Sequence, residues 1–150
     1  MQGYWFRSRR FRVEPGEDRP VCPGIYGRQL AHWLRDGLVG RGYPNAQARQ
    51  EDWGWCVVAR QRPHLLWIGC GSVDVDSSDA PPPDATPPGE PLTVVARAGA
   101  RLWHCHAAME RSWLAYWLDR TAAETALADL DLALRSLLMG EPGIQQVDPP

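Results

Sequence analysis

Glu51-Asp52-Trp53-Gly54-Trp55-Cys56-Val57-Val58-Ala59-Arg60, Gln61-Arg62-Pro63 and His64-Leu65-Leu66-Trp67-Ile68-Gly69-Cys70-Gly71 read as two apolar strands joined by a short polar turn. In the first strand Trp53, Trp55, Val57 and Ala59 fall on one face by period-two alternation, and Cys56, Val58 and Arg60 on the other. In the second, Leu66, Ile68 and Cys70 oppose Leu65, Trp67 and Gly69. Both faces are largely apolar, which places this hairpin inside a sheet rather than at its edge. The glycines within it mark bulges or close approaches.

On the N-terminal side, Phe11 and Val13 alternate with Arg10 and Arg12 and predict a strand within residues 4–13, stopped by Glu14-Pro15-Gly16. Ile25, Tyr26, Leu30, Trp33, Leu34 and Leu38 trace one helical face and predict a helix over about 24–40. Gly40 and Gly42 stop it, and Gly37 weakens its last turn by about 1 kcal/mol relative to alanine. Residues 43–50 form a weaker strand candidate.

On the C-terminal side, residues 72–91 are rich in proline and aspartate and predict an exposed loop inserted in one domain. Strands are expected at Leu92–Arg97 and Arg101–His106, and a short helix within 107–118 from Met109, Trp113, Leu114, Trp117 and Leu118. Thr121-Ala122-Ala123-Glu124 has capping-box spacing. Leu127, Leu130, Leu134, Leu137 and Leu138 follow on one face of a last helix, which Gly140 and Pro142 end. Ile144 and Val147 suit a short final strand. The expected fold is a single α+β domain over 1–150, a mainly antiparallel sheet with two main helices packed on one face. A ferredoxin-like variant built on a split β-α-β unit is an alternative.

The 150 residues carry a net charge of −2, which supplies no field for nucleic acid or an anionic membrane. All 16 basic residues are arginine, a bias that a GC-rich bacterial genome accounts for. Interleaved Tyr4, Trp5, Phe6, Arg7, Arg9, Arg10 and Arg12 can stack on single-stranded bases, but a strand with an arginine-bearing face explains them more simply. The N-terminus lacks the apolar run of a signal peptide, and no stretch has membrane-span length. A cytoplasmic protein with reduced thiols is expected, with no cofactor.

His104 and His106 share a strand face and form the first chemical candidate, as a metal site or an acid and base. Further ligands would have to come from Cys22, Cys56, Cys70, His32 or His64, and none shows metal-motif spacing. A cysteine nucleophile is disfavoured where the thiol lies in an apolar strand, as for Cys56 and Cys70. Asp74, Asp76 and Asp79 lack the glycine and terminal glutamate of a calcium loop. The eight tryptophans are unusual for this length, and periodicity assigns five or six of them to the core. Glu51 and Asp52 beside Trp53 and Trp55 suit a contact patch, since aromatics and desolvated charges anchor interfaces. The acidic run at Asp74, Asp76 and Asp79 is grouped with them as partner-binding.

Pro23-Gly24-Ile25-Tyr26-Gly27, Leu30-Ala31-x-Trp33-Leu34 and Glu51-Asp52-Trp53-Gly54-Trp55 together resemble a pattern in small, largely uncharacterised bacterial α+β proteins. The resemblance spans roughly residues 10–71 and, more loosely, Glu141-Pro142-Gly143-Ile144. No activity attaches to it. In general character the chain is similar to immunity proteins of bacterial toxin–antitoxin or secretion-system loci, by analogy of type, so no functional residue carries over. The expectation is a non-catalytic protein that occludes a partner protein, with a toxin as the specific case. The alternative is a small enzyme or metal-binding protein using His104 and His106. A third possibility is homo-oligomerisation.

Overall fold

A computed structural model describes residues 3–16, 26–74, 101–110 and 113–150. The elements are β1 (Tyr4–Ser8), α1 (Arg28–Val39), β2 (Gln47–Glu51), β3 (Gly54–Arg60), β4 (Leu65–Asp74), β5 (Arg101–Glu110), α2 (Trp113–Leu118), α3 (Arg120–Gly140) and β6 (Ile144–Val147). The six strands form one sheet in the order β2-β3-β4-β5-β1-β6. Every neighbouring pair is antiparallel. With the edge hairpin β2–β3 set aside, β1 and β4 run parallel on either side of β5, and β5 and β6 run parallel on either side of β1, with α1 and α3 in the respective connections, which is the split β-α-β arrangement expected of a ferredoxin-like variant. The hairpin β3–β4 lies inside the sheet, as its two apolar faces require.

Both long helices cover one face of the sheet. Leu30, Leu34 and Leu38 of α1 and Leu130, Leu134 and Leu138 of α3 enter one core with Phe6, Trp55, Val57, Ile68, Cys70, Trp103 and Cys105. Each such leucine contributes about 1.5–3 kcal/mol on burial. Gly37 has a structural reason to be there. A Cβ on it would sit 2.6 Å from Leu137 Cδ2, so the leucine tip of α3 rests directly on this glycine of α1.

Several local expectations are corrected. The first strand is Tyr4–Ser8, and residues 9–14 are not strand. Phe11 enters the core from this loop, meeting Phe6 and Trp103 edge-on at 6.3 and 5.8 Å, while Val13 is exposed. Residues 107–110 extend β5 instead of starting a helix, because they pair with Leu65 to Ile68 of β4. The cap of α3 is Asp119, whose carboxylate accepts from the Ala122 backbone N–H at 3.1 Å. Glu124 pairs with Arg120 at 2.9 Å instead of closing a box with Thr121. Of the expected loop, 72–74 belongs to β4, and the rest, with the strand at 92–97, lies outside the described residues. No described helix is long and apolar enough to cross a membrane.

Candidate functional site: an aromatic row on the face opposite α1 and α3

Strand alternation turns Trp5, Trp67, His104 and His106 away from the helices. Cross-strand pairing sets Trp5 opposite His104 and Gly69 opposite His106. The rings then run in sequence across the sheet. Trp5 lies 4.4 Å from His104, His104 stacks on His106 at 5.2 Å and 27°, His106 meets Trp67 edge-on at 5.6 Å, and Trp67 meets Trp53 at 5.5 Å. Glycines make the room. The His104 ring lies against Gly3, and a Cβ on Gly69 would come within 2.6 Å of His106 Cε1.

Trp53 and Trp55 have opposite fates. Trp55 is 8% exposed beneath α1, whereas Trp53 is 47% exposed in the β2–β3 turn. The alternation that put them on one face fails at Gly54. Its φ of +148° is a backbone conformation that side chains disfavour, and it turns the chain between the two indoles. Trp53 therefore joins Trp67 over the face opposite α1 and α3.

Burial holds both imidazoles below the ordinary 6.5, and the neighbouring His106 adds to the effect on His104. Both are neutral at pH 7. The Nδ1 of His106 is buried without a hydrogen-bond partner. Among the described residues, no three His, Cys, Asp or Glu are grouped to hold a metal. Cys56 shares this face in the row of Gly69 and His106. Burial, with Glu51 nearby, pushes its thiol up to about 11, so it is no thiolate at neutral pH. Cys70 and Cys105 face the helices, fully buried, and burial raises both thiols further. His32 lies on α1 near Trp55, at 5.9 Å, and burial lowers its pKa. His64 sits in the β3–β4 turn, away from the histidine pair. Among the described residues, this arrangement provides an aromatic surface and no thiol that burial leaves ionised at neutral pH.

The residues expected to bind a partner divide. Glu51, Asp52 and Trp53 are together and exposed at the β2–β3 turn. Trp55 is core and belongs to no surface. Asp74 ends β4 at the same end of the sheet and pairs with Arg101 at 3.6 Å. Asp76, Asp79 and Cys22 lie outside the described residues. The expectation that five or six tryptophans are core is too high. Trp55 and Trp103 are buried, Trp5, Trp33 and Trp67 are partly covered, and Trp53, Trp113 and Trp117 are exposed. Trp5 and Trp67 were missed as site residues. Strand parity gives their facing once β1 is placed correctly, but only the β1–β5 pairing joins them to His104. Comparison with protein families, curated proteins and solved structures found no significant match to this chain.

Proposed function

We propose that this chain is a non-catalytic binding protein that occludes a partner protein, and that it does so with the face of its sheet opposite α1 and α3. The observation that carries this reading is the row Trp5, His104, His106, Trp67 and Trp53, which ends in a half-exposed indole beside Glu51 and Asp52. Large rigid aromatics with charges at the rim are what protein interfaces use as anchors. The near-neutral charge favours a protein over a nucleic acid as the occupant. The specific form we propose is a cytoplasmic immunity protein that neutralises a toxin by covering its working surface.

The test is affinity purification from the native host, followed by reconstitution with whatever co-purifies. A stoichiometric protein whose activity is suppressed by the wild-type chain, and released by Trp53→Ala/Trp67→Ala, supports the reading. A partner bound equally well by that double variant would move the site elsewhere. A chain that purifies alone at native expression, with no toxin gene beside its own, would sink the proposal.

A further inference from the structure

Helix α2 turns its apolar residues to water. Trp113, Leu114, Trp117 and Leu118 are 74, 55, 83 and 80% exposed. Their i, i+1, i+4, i+5 spacing makes one ridge. The sequence of residues 113–118, Trp-Leu-Ala-Tyr-Trp-Leu, contains no charge. A six-residue helix is far below the length at which helices persist alone in water, and among the described elements it packs mainly against α3. Such an element needs a cover.

We propose that this cover is a second copy of the chain, with the α2 ridges of two protomers packed against each other across a two-fold axis. Three considerations select a copy over a foreign partner. An isologous contact asks only that a patch suit itself, and an uncharged apolar ridge meets that condition. With no charge on the ridge, nothing on it selects a differently charged protein. A net charge of −2 per chain gives little repulsion between copies. The area is also sufficient. With about 250 Å² for a whole tryptophan and about 150 Å² for a leucine, the ridge offers about 600 Å² per copy, so a symmetric pair buries at most about 1,200 Å². That lies at the lower bound for a specific stable interface, so a dissociation constant in the micromolar range is expected.

Sedimentation equilibrium over about 1–100 µM protein tests this. The wild-type mass should rise from one chain to two and stop there. Trp117→Ala should raise the dissociation constant about 30-fold or more, as for a buried interface tryptophan. Trp113→Glu/Trp117→Glu should stay at one chain with an unchanged circular dichroism spectrum. If that double variant loses its folded spectrum, Leu118→Glu takes its place. Leu132→Glu, on the exposed side of α3, should dimerise as wild type does. A wild-type chain that stays single at the highest concentration overturns the proposal. So does a mass beyond two chains, or a dimer that survives the α2 charges.

Discussion

Gly69→Ala is the most direct probe of the aromatic row. The added Cβ would lie 2.6 Å from His106 Cε1, 3.1 Å from Nε2 and 3.2 Å from Nδ1, so it meets the imidazole itself. The ring has little freedom to give way, since it is stacked on His104 at 5.2 Å and abuts Trp67 at 5.6 Å. Overpacking of this kind costs about 1–3 kcal/mol. Against it stands the gain of about 0.5–1 kcal/mol from replacing a strand glycine with alanine. A net loss of up to about 2.5 kcal/mol is expected by urea denaturation. Gly71 lies two residues on, on the same face, and a Cβ there meets nothing within 4 Å. Gly71→Ala should therefore gain about 0.5–1 kcal/mol. The cycle with His106→Ala isolates the cause. In that background Gly69→Ala should cease to destabilise, a coupling of about 1 kcal/mol or more. If Gly69→Ala is as stabilising as Gly71→Ala, the imidazole does not lie across the glycine and the row is not built as described.

Three other outcomes follow from the same packing. His104 and His106 are held below 6.5 in the fold, so the unfolded chain takes up protons first. Their contribution to stability is constant above that range, falls as pH drops through 6.5, and levels off below the folded-state values. His104→Gln/His106→Gln should flatten this slope in pH-dependent denaturation, leaving a smaller one from His32, which is also lowered. The Tyr4 hydroxyl donates to Asp131 Oδ2 at 3.0 Å, and burial together with this bond raises the phenol to about 12. Tyr4→Phe should cost about 1–2 kcal/mol in the same assay, and in wild type the contribution of this pair should decline as pH rises above 10. For α3, Asp119→Ala should cost about 1 kcal/mol and Thr121→Ala close to nothing, the reverse of what the capping-box spacing implies.

What was legible in the sequence is what depends on short-range period. The β3–β4 alternation gave the central hairpin, and the 3.6-residue spacing of leucines gave α1 and α3, because burial on one side imposes those periods directly. The misses arise where distant pairing overrides local pattern. Ala107, Ala108 and Met109 are good helix formers, yet they stay in strand because β4 pairs with them to Glu110. Phe11 and Val13 alternate like a strand but only one of them is buried, since residues 9–14 form a loop that drops one ring into the core. Tyr4, Trp5 and Phe6 show no alternation in hydrophobicity because both sides of β1 are occupied, the core on one and the His104 ring on the other. The site was half legible. Glu51, Asp52 and Trp53 were found as a patch, and the shared face of His104 and His106 follows from parity. That Trp5 completes the row depends on a contact between residues 5 and 104, which no local pattern encodes.

The two exposed apolar features differ in a way that bears on their partners. The sheet row ends among carboxylates at Glu51 and Asp52, and the outward-facing arginines Arg7 and Arg49 are exposed on the same face. Charges at a rim set orientation and reject wrong partners, so this face suits one particular foreign surface. The α2 ridge itself carries no charge and suits another apolar ridge. The two roles should therefore separate by mutation. Trp53→Ala should weaken capture of the partner while the two-chain mass persists, and Trp117→Ala should lower the mass while partner capture persists. A substitution at either site that abolished both would mean that dimerisation builds the binding face, and the single-copy account of the aromatic row would have to be abandoned.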